Sequence, residues 1–181
     1  MKHLPNLLSA ARLLVAPYLF LVLWRHEYGP SLVLIVICGI TDGLDGFLAR
    51  KLSASSKLGA YLDPVADKVL LSGAFLTLAL SGAIEKWLAW IVLGRDAGIL
   101  LFAGAVFLFT RSLRSFPPSI WGKASTVAQI LFILDLIGNL PLLEGFKWAV
   151  VALAFVSGLD YLRVGQDIIL RGLGKPAPPR P

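Results

Sequence analysis

The chain has 181 residues, a net charge of +6, 57% hydrophobic residues and only 15% charged ones, with a mean hydropathy of +0.78. That balance excludes a water-filled surface of ordinary size and a disordered polymer, and it fits one small domain surrounded by lipid. No nucleic-acid partner is expected, and the lone Cys38 excludes an internal disulfide.

Taken in order, the apolar runs predict an all-α integral membrane protein with about six transmembrane helices, near 5–25, 31–51, 58–82, 86–111, 119–139 and 144–170. Each is close to the ~20 residues that cross a bilayer. Stretches such as Leu13–Leu23 and Ile99–Phe109 lack the polar stripe that a water-facing helix shows every 3.6 residues. The expected breaks are Gly29-Pro30, Ser53-Ala54-Ser55-Ser56, Ser81-Gly82, Phe116-Pro117-Pro118-Ser119 and Asn139-Leu140-Pro141. Residues 1–171 then form a single membrane domain, and the proline-rich stretch 172–181 forms a flexible tail. Arg12 interrupts the first apolar run, which argues against a cleavable signal peptide.

An even number of helices places both termini and the second-to-third and fourth-to-fifth connections on one side. Twelve basic residues fall there, from Lys2 to Arg180, against Arg25, Lys86 and Lys147 on the other side. The positive-inside rule makes the richer side cytoplasmic.

Four carboxylates stand out. Asp42 and Asp45 end the second span, and Asp63 and Asp67 open the third, all within 26 residues. A charge near the bilayer centre costs roughly 3 kcal/mol even on the lenient insertion scale, so the group demands compensation. Spacings of three and four put each pair on one helix face. Oxygen-only donors select hard cations such as Mg²⁺ or Mn²⁺, and four carboxylates suit two ions, an arrangement that serves phosphoryl chemistry. Gly43, Gly46 and Ala49 beside them, and Gly59 beyond the loop, leave room for a ligand or a second helix. Structural ion pairs and an ion path are the competing uses of such acids.

The run Asp45-Gly46-x-x-Ala49-Arg50-x8-Gly59-x3-Asp63-x3-Asp67, preceded by Asp42, fixes eight positions. It resembles the signature of the CDP-alcohol phosphotransferases. The resemblance extends to Asn6-x-x-Ser9-x-x-Arg12, Arg95-Asp96 and Gly122-Lys123-x-x-Thr126-x-x-Gln129, and only the tail falls outside it. It implies a six-helix, usually dimeric enzyme that moves a phosphatidyl group from CDP-diacylglycerol to an alcohol and releases CMP. It further implies that Asp42, Asp45 and Asp63, with Asp67 close by, hold the metal ions, and that Asp67 is the base on the acceptor hydroxyl. Gly43, Gly46, Ala49, Arg50 and Gly59 would line the nucleotide diphosphate, although Arg50 also satisfies the positive-inside rule with no ligand.

Arg95, Arg111, Arg114 and Lys123 are the candidate acceptor-binding residues, with topology and attraction to anionic lipid as their competing reading. If they bind substrate, the acceptor is anionic, and the resemblance implies a glycerol-containing one. Within the family, the short chain resembles the phosphatidylglycerophosphate synthase and cardiolipin synthase branches, which leaves glycerol-3-phosphate and phosphatidylglycerol in play. Arg95-Asp96 departs from the Arg-Glu usual in bacterial phosphatidylglycerophosphate synthases and looks more like the cardiolipin synthases. The implied setting is a bacterial inner membrane with the site facing the cytoplasm.

A reading from a different class is a small cation transporter or channel using the same aspartates, but the inverted repeat common in transporters is not seen. Asp96 and Asp135 have no expected role. Asp160, three residues before Arg163, is expected to form a same-helix ion pair.

Overall fold

A computed structural model of the chain describes the backbone of residues 4–52, 59–110 and 119–172, and the side chains of 10–41, 68–102, 104–105 and 119–166. These residues form six helices and no strand: α1 (Leu4–Trp24), α2 (Tyr28–Leu52), α3 (Gly59–Leu80), α4 (Lys86–Thr110), α5 (Ile120–Gly138) and α6 (Leu143–Gly172). Every bound falls within three residues of the span read from the sequence.

One expected break is wrong. Gly29-Pro30 lies in the first turn of α2, and the chain reverses just before it, through His26 in the left-handed region at φ 57°. A proline in the first turn gives up an N–H that has no helical acceptor there, so it opens a helix as readily as it ends one. Two other breaks are as expected. Gly82 takes φ +81° after α3, and Asn139 takes φ 51° after α5 with Pro141 two residues on. The breaks at 53–56 and 116–118 and the tail beyond Gly172 lie outside the described residues.

The chain divides into two compact units. The first comprises Met1–Ala89 with Leu134–Leu140, and the second Trp90–Ile133 with Pro141–Pro181. In the first unit α1 packs against both α2 and α3. Leu19, Val22 and Leu23 of α1 and Phe75 and Leu78 of α3 are fully buried. Gly73 is what lets α1 and α3 approach, because a Cβ there would collide with the Phe20 ring. Small residues at such contacts suit helices in lipid, where apolar burial alone does not press them together. Pro17 sits inside α1, which stays helical across it. In the second unit Val92, Ala128, Phe132, Val150 and Ala154 are buried, and Gly165 gives the Phe102 ring room as Gly73 does for Phe20.

Large apolar side chains are exposed on all six helices, among them Leu14, Ile40, Leu80, Leu101, Ile120 and Phe155. A soluble protein hides such surfaces, whereas lipid solvates them. Among the described residues two segments, Ile120–Gly138 and Leu143–Gln166, are long and apolar enough to cross a membrane.

Candidate active site

The helices place the four aspartates as two pairs. Asp42 and Asp45 lie in the last turns of α2 with Gly43, Gly46, Ala49 and Arg50, while Asp63 and Asp67 lie in the first turns of α3, which Gly59 opens. Both helices belong to the first unit and both pack on α1. An unbroken helix through each pair keeps the two carboxylate-bearing positions about one turn apart. The side chains of residues 42–67 lie outside the described residues, as do Arg111 and Arg114 altogether.

The other two acceptor candidates are described, and they belong to a polar cluster in the second unit. The buried guanidinium of Arg95 donates to Asp96 Oδ1 at 2.6 Å and crosses to α6, where it donates to the Ser157 hydroxyl. Its Nε, also buried, has no hydrogen-bond partner among the described residues. Arg95 is therefore charge-neutralised by its sequence neighbour, which is what makes a guanidinium tolerable in an apolar interior. Ser157 is itself fully buried, so each side of this bond satisfies the other.

The second strand of the cluster runs from α6 to the start of α5. Ser119 is the N-cap of α5. Its hydroxyl accepts the Gly122 N–H at 3.4 Å, and its carbonyl accepts the Lys123 N–H at 3.1 Å. The same hydroxyl donates to Asp160 Oδ2. This corrects the expected Asp160–Arg163 pair, because the carboxylate of Asp160 turns to α5 and its described interaction is with Ser119. An acid beside a helix N-terminus gains from the dipole there, a competitor that sequence spacing did not weigh.

Gly122 closes the cluster. A Cβ at this position would stand 3.2 Å from the Tyr161 ring and hydroxyl and 3.4 Å from Arg95 Nη2. The lack of a side chain at 122 thus brings the first turn of α5 up against α4 and α6 and sets Lys123, which is exposed, one residue away from a point of contact with Arg95. Further along α5, Thr126 donates to the Gly122 carbonyl and Gln129 donates to Ser125. A cavity of about 430 Å³ opens beside the cluster between α4 and α6, lined by Trp90, Gly94, Arg95, Phe102, Phe155 and Tyr161 among others.

Ser119, Ser157 and Tyr161 carry this arrangement and were not singled out by the sequence. Ser119 appears in the sequence only as part of the break before α5, and the signal for the other two is the spacing Ser157-x-x-Asp160-Tyr161, which lines up three polar groups on one face of α6.

The first unit carries two helical pairs of aspartates, the second a buried arginine beside a capped helix start and a lysine, and such charges in apolar helices are those of a membrane enzyme rather than of a lipid-facing scaffold. The chain belongs to the CDP-alcohol phosphatidyltransferase family, whose model matches residues 2–159, and it is a transferase of that family. It is 35% identical to the Aquifex aeolicus "CDP-diacylglycerol–glycerol-3-phosphate 3-phosphatidyltransferase", over 93% of this chain and 99% of that protein. It is 32% identical to the Mycobacterium tuberculosis "Probable phosphatidylglycerophosphate synthase", over 92% of this chain and 83% of the relative. It is also 37% identical to the Drosophila melanogaster "Probable cardiolipin synthase (CMP-forming)", there over 64% of this chain and 34% of the longer protein.

Proposed function

We propose that the protein transfers the phosphatidyl group of CDP-diacylglycerol to glycerol-3-phosphate and releases CMP. The observation that carries this reading is the complete eight-position pattern from Asp42 to Asp67, set on α2 and α3, in a chain that matches the Aquifex aeolicus protein named for that transfer along nearly its whole length. The acceptor hydroxyl attacks the phosphorus that bears the diacylglycerol, the bond from that phosphorus to the CMP oxygen breaks, and CMP leaves. Asp67 receives the hydroxyl proton, a role that requires its carboxylate within hydrogen-bond reach of the acceptor.

Asp42, Asp45, Asp63 and Asp67 form a hard, oxygen-only donor set on two helices of one unit, which fits two divalent cations, Mg²⁺ or Mn²⁺. Bound there, the ions supply charge neutralisation to the diphosphate and to the departing CMP. Gly43, Gly46, Ala49 and Gly59 keep bulk away from the diphosphate, and Arg50 offers it a cation. Lys123, Arg111 and Arg114 receive the acceptor phosphate through charge-assisted hydrogen bonds, with Arg95 close to Gly122, one residue before Lys123.

A second reading keeps the same donor and chemistry but takes phosphatidylglycerol as acceptor. The Arg95-Asp96 pair and the Drosophila melanogaster relative favour it. The purified protein, given radiolabelled CDP-diacylglycerol, Mg²⁺ and each acceptor in turn, decides between them. A phosphatidylglycerophosphate product supports the first and cardiolipin the second. Efficient transfer to inositol or serine defeats the anionic-acceptor reading, and failure to release CMP with any acceptor returns the aspartates to an ion path.

In this reading the six helices each span a bacterial inner membrane, residues 1–171 act as one catalytic domain, usually paired with a second copy, and both termini and the active site face the cytoplasm. Cysteines placed at Ser55 and Lys175 in a Cys38→Ser background should label from the cytoplasmic side and one at Gly145 from the other. Labelling of Ser55 and Lys175 from opposite sides breaks this topology.

A further inference from the structure

Asp160 lies part-buried on α6, and its described interaction is with Ser119, 41 residues earlier, rather than with a cation. A serine hydroxyl has one proton to donate and two lone pairs. Here the proton goes to Asp160, which leaves a lone pair for the Gly122 N–H, while the Ser119 carbonyl takes the Lys123 N–H. Asp160 thereby orients the cap that starts α5, and its negative charge lies by the positive end of that helix. The next residue on α6, Tyr161, packs on Gly122, and Arg95 of α4 lies close to it as well. The first turn of α5 is held by α6 at two adjacent positions, and Lys123 leaves from that turn.

The geometry points to Asp160 as a positioning residue for the acceptor: through Ser119 it fixes the first turn of α5, and so sets where Lys123, which leaves from that turn, meets the acceptor's phosphate. This rests on the reading of Lys123 as an acceptor-binding residue. Asp160 touches neither substrate in this account, so its loss should weaken acceptor capture and spare the chemical step. A carboxylate kept only for helix packing would not separate the two substrates in this way.

The test uses the full chain in lipid nanodiscs with Mg²⁺, varying glycerol-3-phosphate and CDP-diacylglycerol independently. Asp160→Ala and Ser119→Ala should each raise the acceptor KM about fivefold to tenfold, the order of one lost helix cap, with kcat and the CDP-diacylglycerol KM within about twofold of the parent. The double variant should be no worse than either single one, because both remove the same connection. Ser119→Thr, which keeps the hydroxyl, should restore the parent KM. If Lys123→Ala raises the acceptor KM while Asp160→Ala and Ser119→Ala do not, the positioning role is overturned and the acceptor site stands. If Lys123→Ala has no effect on that KM, the acceptor reading fails and the inference goes with it. A fall in kcat with a rise in both KM values, together with a lower melting temperature, reduces Asp160 to a packing role and also overturns the proposal.

Discussion

In the unit built on α1–α3 the helices meet through shape, with Phe20 lying in the notch that Gly73 leaves and Leu19, Leu23, Phe75 and Leu78 filling the interior. Arg12, Lys68 and Ser72 of that unit have interactions of their own, and in the unit built on the greater part of α4, α5 and α6 the described polar cross-links between helices are Arg95 to Ser157 and Ser119 to Asp160. In lipid either device holds helices together, but only the second holds them at a set of stated hydrogen-bond positions. The difference suits a division of labour. On α2 and α3 the helix's own spacing sets the positions of the aspartates within each pair, with no cross-link needed for that spacing. A site assembled from three separate helices, such as Arg95, Lys123 and their supports, needs contacts that fix one helix against another.

The largest expected effects lie in the first unit. Asp67→Asn should lower kcat by roughly 10²–10⁴ while CDP affinity is largely kept, because the proton acceptor is lost and three carboxylates remain for the cations. Asparagine at 42, 45 or 63 should instead weaken Mg²⁺-dependent CDP binding, measurable by calorimetry without turnover. Undiminished affinity in all three variants removes the metal assignment. Kinetics and nucleotide binding thus separate residues that sequence spacing alone presents as equivalents.

Next in size is Arg95→Ala. It takes the guanidinium from both Asp96 and Ser157, and breaking a buried ion pair from one side costs about 3–5 kcal/mol. The melting temperature in detergent should fall sharply. Ser157→Ala, which removes one bond to a charged group, should cost about 1.5–3 kcal/mol. Equal, negligible losses in both would show that polar cross-links do not hold the second unit together.

These two sets of residues differ in how far they can be read from the chain alone. The aspartate pattern is local: its meaning lies in spacings of three and four along α2 and α3, and a carboxylate in an apolar run announces its own cost. The helix spans are legible for a similar reason, since an apolar run of bilayer length bounded by Ser81-Gly82 or Asn139-Leu140-Pro141 has few other solutions. Gly29-Pro30 misleads because proline serves a helix start as well as a stop. The second unit's cluster is not local. Arg95 and Ser157 are 62 residues apart and Ser119 and Asp160 are 41 apart, and no periodicity links them. Asp160 was visible as a charge in an apolar helix, but the nearest cation in sequence, Arg163, outbid a serine whose position depends on the fold.

A smaller effect is expected at the notch of the first unit. Gly73→Ala places a methyl group into the Phe20 ring and should cost about 1–3 kcal/mol as the ring is displaced. Combining it with Phe20→Leu should recover part of the loss, a coupling that a double-mutant cycle measures directly. Additive losses would mean that α1 and α3 do not depend on this contact.

The smallest effect tests the comparison from the opposite direction, because the first unit also contains a carboxyl group with no hydrogen-bond partner among the described residues. Asp135, near the end of α5, is 1% exposed, and neither carboxyl oxygen has a hydrogen-bond partner. A buried acceptor left unsatisfied costs about 1–3 kcal/mol, and replacing it with an apolar group of similar shape removes that cost. Asp135→Val should therefore raise the stability of the folded protein by about 1 kcal/mol, read as a higher melting temperature, with kcat and both KM values unchanged. The gain is kept small by the extra volume that the second methyl of valine brings to a filled interior. If Asp135→Val instead destabilises the protein, the carboxyl has a partner supplied by water or lipid, and it anchors the end of α5 as Ser119 and Asp160 anchor its start. If stability rises but turnover falls, Asp135 is retained for activity at the expense of the fold, and the division of labour between the two units is less complete than their contacts suggest.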